Sequence, residues 1–137
     1  MKLAICTDVF ADLSYTDMLD KVKSLGIDAV EMTAGGWGAR KHCNTAELLA
    51  DEGKRKEFMG ELEKRGMRIS ALNTSCNPLW PSKTGEEYKK SMYDCATLAG
   101  LLGAKKIVAM AGLPAGSETD TTPNWITSTV SWPDFMA

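Results

Sequence analysis

Residues 68–110 read RISALNTSCNPLWPSKTGEEYKKSMYDCATLAGLLGAKKIVAM and contain a complete strand–loop–helix–strand unit. Residues 68–73 and 105–110 are short, mostly apolar runs of the kind that form buried strands. Between them apolar side chains recur at helical spacing, and Gly103 follows the last of them, as glycine does at a helix end. Two such strands joined through a helix are typical of a parallel sheet with crossover helices.

The same unit recurs upstream. Residues 2–6 (KLAIC) and 28–32 (DAVEM) are two further predicted strands, and a helical pattern follows each of them. Because buried parallel strands are mostly apolar, all four strands are expected to be covered on both faces. If strand order follows the chain, residues 2–6 and 105–110 form the two open edges of the sheet.

Capping signals predict where the helices begin and end. Ser14 is a predicted N-cap, Asn44 begins the next helical region, and Thr84 with Glu87 resembles a capping box. Gly53 is expected to interrupt the region that Asn44 begins. Residues 7–13 are expected to form a loop.

These elements predict an α/β fold, a partial TIM (β/α)8 barrel with about four parallel strands and crossover helices, in which residues 1–137 form one domain. A doubly wound open sheet has the same order of elements. No glycine-rich phosphate-binding motif follows the first strand, which disfavours the nucleotide-binding version of that sheet. Since a full barrel has roughly 250 residues, the chain is expected to be about half of one.

Composition excludes several classes of function. The chain has 137 residues, a net charge of −2 and interleaved charges, so no basic face for nucleic acid is expected. No apolar run approaches the roughly 20 residues of a membrane helix, and the N-terminus does not look like a signal peptide. Four scattered cysteines without a C-x-x-C pair suit the reducing cytoplasm.

Polar residues at the predicted strand ends are the first candidates for a site, because barrel enzymes build their sites there. Glu31 lies near the end of an apolar strand, where it can bind sugar hydroxyls or move a proton, or else be tied structurally to a cation or a backbone N–H. Asn73 and Ser75 begin a polar cluster that suits a polyol, although Asn77–Pro78 is also a turn signal. Cys76 has no base placed by the sequence to activate it.

Loop residues supply the remaining candidates. His42, the single histidine, is either a substrate contact or a hydrogen-bonded loop residue. Trp37, Trp80 and Trp125 all follow predicted strands, where an indole can stack on a sugar ring or cover the core.

Several of these segments resemble the sugar phosphate isomerase/epimerase family, the xylose isomerase-like TIM barrels. The matching pieces are DAVEM with TAGGWGARKHCN (28–44), RISALNTSCNPLWP (68–81), KKIVAMAGLPAG (105–116), PNWIT (123–127) and SWPDF (131–135). The resemblance spans nearly the whole chain but only the N-terminal half of a typical member.

The resemblance implies an enzyme that acts on a sugar, keto-sugar or polyol by proton transfer next to a carbonyl, with a divalent metal (Mn, Mg or Co) in the complete enzyme. In that family the ligands come from strands of the second half, so this chain is expected to hold no complete metal site and to be inactive alone. The substrate-facing residues that transfer are Glu31, Asn73 and His42. Close relatives often carry histidine in the loop after the third strand, where this chain has Ser75 and Trp80.

Two other interpretations remain open. The chain can be a non-catalytic half-barrel that binds a sugar-like ligand or a partner subunit, because its two open edges invite pairing in a homo-oligomer or with a partner chain that completes the barrel. It can also be a truncated product of a longer reading frame.

Overall fold

A computed structural model describes residues 3–115 and residue 119. The chain alternates strands and helices in the order β1 (Ile5–Cys6), α1 (Tyr15–Ser24), β2 (Ala29–Thr33), α2 (Thr45–Ala50), α3 (Glu52–Glu63), β3 (Arg68–Asn73), α4 (Lys83–Leu102) and β4 (Ile107–Val108). The strands form one parallel sheet in the order β1–β2–β3–β4. The predicted α/β fold with four parallel strands and crossover helices is therefore confirmed.

The four helices pack against one face of the sheet. Val30, Met32 and Leu72 point to that face and are fully buried. They belong to one core cluster with helical side chains from α1, α2, α3 and α4, among them Met18, Leu48, Leu62 and Leu98. We call the opposite face of the sheet the inner face. Helices on a single face are typical of a barrel, whereas a doubly wound sheet carries helices on both faces.

A β-bulge lies between β2 and β3. Val30 pairs with Ile69 but Glu31 pairs with Ala71, so Ser70 is the extra residue. The Ser70 hydroxyl donates to the Val30 carbonyl oxygen at 2.9 Å. The register beyond the bulge keeps Leu72 in the core and places Asn73 opposite Thr33.

Most helix ends agree with the predicted caps, and two do not. Ser14 and Asn44 accept from backbone N–H groups of α1 and α2 as predicted. The break between α2 and α3 lies at Asp51 and not at Gly53, because the Asp51 carboxylate caps α3. α4 begins after Ser82 and not at Thr84, since the Ser82 hydroxyl accepts from the Gly85 N–H at 3.1 Å.

The expectation that all strands are buried on both faces is wrong for the edge of the sheet. β2 is nearly all buried, but Ile107 and Val108 of β4 are 42% and 37% exposed. Only β3 pairs with β4 in the described part of the chain, which leaves its other side open. The predicted loop 7–13 contains a 3-10 turn, Thr7–Phe10. No helix among the described residues is long and apolar enough to cross a membrane.

Candidate functional site at the carboxyl ends of the strands

Glu31 and Asn73 meet on the inner face of the sheet. The Asn73 Nδ2 group donates to Glu31 Oε1 at 2.6 Å, and both side chains are partly buried. Glu31 is the third of the five residues of β2, two positions before its end, and Asn73 is the last residue of β3. Parallel strands end at the same edge of a sheet, so their last side chains converge.

The Asn73 amide is held at both ends. Its Oδ1 atom accepts from the Ser75 backbone N–H at 2.8 Å while its Nδ2 atom donates to Glu31. This arrangement fixes the amide orientation, because only the oxygen can accept and only the nitrogen can donate. Within the described part of the chain the carboxylate is thereby held by a neutral amide and not by a cation, and it keeps oxygen lone pairs for hydroxyl donors.

Cys6 and Thr33 extend this group, and the sequence did not single them out. Cys6 is paired with Glu31 in the strand register, and its Sγ atom lies 3.9 Å from Thr33 Oγ1. Their alternation with core residues in β1 and β2 is the signal that identifies them, since side chains two apart share a face. We call Cys6, Glu31, Thr33 and Asn73 the strand-end site.

The glycine-rich loop after β2 packs directly on the loop after β3. The Gly36 N–H donates to Ser91 Oγ at 2.9 Å, and the Trp37 N–H donates to the Ser75 carbonyl at 3.0 Å. Gly36 has a φ of 69°, and a Cβ there would lie 2.2 Å from the Ser75 oxygen. A larger residue would separate the two loops, so the glycine fixes the rim of the strand-end site.

The structure describes two of the three predicted tryptophans. Trp37 is 50% exposed in the loop after β2, and its ring meets Tyr88 of α4 edge-on with centroids 6.3 Å apart. Trp80 is partly buried, and its carbonyl oxygen lies 1.8 Å from the position that a Cβ on Gly85 would occupy. Trp125 lies outside the described residues.

His42 is placed elsewhere. Its side chain is buried, and Nε2 lies 3.1 Å from the Leu13 carbonyl oxygen, which joins the loop after β2 to the start of α1. It lines a groove of about 530 Å³ with the stacked rings of Tyr15 and Phe58. The structure therefore does not bring His42 into the hydrogen-bonded group of Glu31 and Asn73, and its substrate role stays a prediction.

Asn77 joins two loops through its side chain, which the turn signal at Asn77–Pro78 did not predict. Its Nδ2 group donates to the Leu113 carbonyl at 2.9 Å, and its Oδ1 accepts from the Leu113 N–H at 2.8 Å. This paired contact attaches the loop after β3 to the segment after β4. Asn77 is buried, so the contact is protected from water.

Cys76 is buried beneath the same loop. Its thiol donates to the Thr74 carbonyl at 3.2 Å, and burial raises its pKa. A raised pKa keeps a thiol protonated and makes it a poor nucleophile. This environment disfavours Cys76 as a nucleophile.

Comparison with known proteins shows the fold. No family model matches the chain. It is 51% identical over 136 residues to the uncharacterized protein YfiH of Bacillus subtilis (strain 168), covering 99% of this chain and 44% of that protein. A crystal structure of the probable 3-DHS dehydratase AsbF, involved in petrobactin synthesis in Bacillus anthracis, superposes with a TM-score of 0.61 at 17% identity.

The structural match covers 98% of this chain and 43% of the dehydratase, so the chain spans less than half the length of either relative. At this identity the likeness carries the fold alone. Together with the strand order and the one-sided helices, it establishes a partial TIM (β/α)8 barrel.

Proposed function

We propose that this chain forms the substrate-binding part of an enzyme that acts on a sugar, keto-sugar or polyol by proton transfer next to a carbonyl, as sugar isomerases and epimerases do. The observation that carries the proposal is the Asn73–Glu31 contact of 2.6 Å at the carboxyl ends of β2 and β3. Barrel enzymes place catalytic and binding groups at this end. The structural likeness to a probable dehydratase supports an enzymatic use of the fold.

In this proposal each residue has a definite task. The Glu31 carboxylate accepts hydrogen bonds from substrate hydroxyls and can take up a proton, because one of its oxygens is positioned by Asn73. The exposed indole of Trp37 stacks on the apolar face of the ligand, and the adjacent loop with Ser75 and Trp80 forms the neighbouring part of the rim.

The described residues alone do not fit a divalent metal. Mg²⁺ and Mn²⁺ need several oxygen or imidazole ligands, and residues 3–115 contain no group of three His, Cys, Asp or Glu side chains that could hold an ion. A divalent metal (Mn, Mg or Co) stays part of the proposal for the complete enzyme, with ligands from outside this set.

Sugar binding by the chain itself tests the proposal. We expect D-fructose, added at millimolar concentration to isotopically labelled protein, to shift the backbone amide resonances of Glu31, Thr33 and Asn73. Glu31→Gln removes the charge but keeps the shape and the contact with Asn73, so these shifts should shrink several-fold. Glu63→Gln is the matched control, since Glu63 is an exposed residue at the end of α3. Equal shifts in both variants would contradict the proposal.

A second function is favoured by the open edge of β4. One side of β4 pairs with β3, and its exposed Ile107 and Val108 present an unprotected strand. A second copy or a partner chain that pairs with β1 and β4 would complete the barrel and act as a non-catalytic binding module. Native mass spectrometry at micromolar concentration distinguishes the two proposals. A monomer that still binds D-fructose supports the first proposal and contradicts the second.

A further inference from the structure

Asp8 lies immediately beside the strand-end site. It belongs to the 3-10 turn Thr7–Phe10, which follows β1 and packs against β2. The turn reverses the chain just beyond Cys6, whose Sγ atom is 3.9 Å from Thr33 Oγ1. Asp8 therefore sits above the inner face, at the same end of the sheet as Glu31.

Gly38 gives the position of the Asp8 carboxylate. A Cβ on Gly38 would lie 2.7 Å from Asp8 Oδ2 and 2.1 Å from Thr33 Cγ2. Both atoms are close to the same point, so the carboxylate and the Thr33 methyl group are neighbours. Thr33 shares the inner face of β2 with Glu31, which places two carboxylates around one threonine.

Neither carboxylate is paired with a cation among the residues that the structure describes. Within residues 3–115 the Asp8 carboxylate takes part in no hydrogen bond or ion pair, although the residue is partly buried. Glu31 is held by the neutral amide of Asn73. Partly buried carboxylates without cations keep a local negative potential, because water screens them less than exposed charges.

We propose that Asp8 is a second substrate-binding carboxylate and that, with Glu31, it selects uncharged polyhydroxylated ligands over phosphorylated ones. Two acceptor-only groups suit the hydroxyl donors of a neutral sugar, whereas a phosphate dianion near them is repelled. Gly38 serves this selection by leaving room for the Asp8 carboxylate against Thr33. This inference rests on the proposed function and assigns its substrate class.

Paired titrations with D-fructose and D-fructose 6-phosphate, followed by amide shifts at low ionic strength, test the inference. The wild-type chain should bind D-fructose more tightly, and Asp8→Asn should narrow the ratio of the two dissociation constants about three-fold or more. Asp12→Asn removes an exposed carboxylate four positions along the same segment and is the matched control. It should leave the ratio unchanged.

A second variant tests the geometry independently of charge. Gly38→Ala adds a methyl group where Asp8 and Thr33 lie, so it should weaken D-fructose binding while Asp12→Asn does not. High salt should also narrow the wild-type ratio, because screening weakens the repulsion of phosphate. Dispersed amide spectra of each variant confirm that it is folded.

The outcomes separate this inference from the function on which it rests. Suppose that D-fructose binds and that Glu31→Gln weakens this binding. If Asp8→Asn then changes the ratio of the two dissociation constants no more than Asp12→Asn does, selection by Asp8 is wrong and the proposed sugar site is retained. If neither sugar binds the wild-type chain, the proposed function and the inference both fail. A wild-type preference for the phosphorylated sugar overturns the inference alone.

Discussion

The two faces of β2 differ in the chemistry of their side chains and in what those side chains contact. On the face toward the helices, Val30 and Met32 are fully buried in a continuous apolar core. On the inner face, Glu31 meets an amide and Thr33 lies near a thiol and a carboxylate. One five-residue strand therefore separates the part of the molecule that stabilises the fold from the part that can bind a ligand.

The difference explains how a barrel can change its chemistry without losing its fold. Side chains on successive positions point to opposite faces, so substitutions at Glu31 and Thr33 leave the packing of the helices untouched. The same alternation makes the two faces separable by experiment. A substitution confined to one face therefore tests whether the other face responds.

Met32→Ala should have the largest effect on stability. Removing a fully buried methionine leaves a cavity among α1, β2 and the other core elements, and such truncations cost about 2–5 kcal/mol. Glu31→Gln, on the neighbouring position, keeps its shape and its contact with Asn73 and should cost less than about 1 kcal/mol. Urea unfolding followed by circular dichroism measures both.

Equal losses of stability in the two variants would contradict this difference between the faces, because the inner face would then be part of the core. We expect Met32→Ala, while still folded, to bind D-fructose as the wild type does. Glu31→Gln should keep most of the stability and weaken D-fructose binding.

Gly36→Ala should have the next largest effect. The residue has a φ of 69°, and the added Cβ would lie 2.2 Å from the Ser75 oxygen, so we expect a loss of roughly 1–3 kcal/mol and a displaced rim. Gly100→Ala is the matched control, because Gly100 lies within α4 with open space around its Cβ position. It should stabilise the chain by about 1 kcal/mol. A stabilising Gly36→Ala would show that the loops are not held together there.

The sequence was sufficient to predict features that depend on neighbouring residues. Ser14 and Asn44 cap their helices as expected, because capping is decided within one turn. Glu31 and Asn73 could be placed at one edge from strand ends alone, since parallel strands end together. Their direct hydrogen bond could not be predicted without the register of the two strands.

Other features depend on contacts that are distant in sequence. The bulge at Ser70 shifts the register by one residue, and no local pattern in residues 68–73 marks it. The approach of Gly38 to Asp8 joins residues of two loops through the packing of β1 on β2. From the sequence His42 was either a substrate contact or a hydrogen-bonded loop residue, and its contact with the Leu13 carbonyl oxygen could not be predicted from residue type.

The buried thiols of the helix-facing core give the smallest expected effect. Cys43 and Cys95 are fully buried in the helix-facing core, and burial raises the pKa of each to about 11 from a model-peptide value of 9.0. Between pH 9 and 11 the unfolded chain loses these protons while the folded chain keeps them, so stability falls as pH rises, by about 1 kcal/mol per thiol at pH 10. Thermal unfolding from pH 8 to pH 10.5 measures this slope. A variant with Cys43→Ala and Cys95→Ala should show a shallower slope than the wild type. Equal slopes in the two proteins would mean that the helix-facing core does not protect its thiols from ionisation.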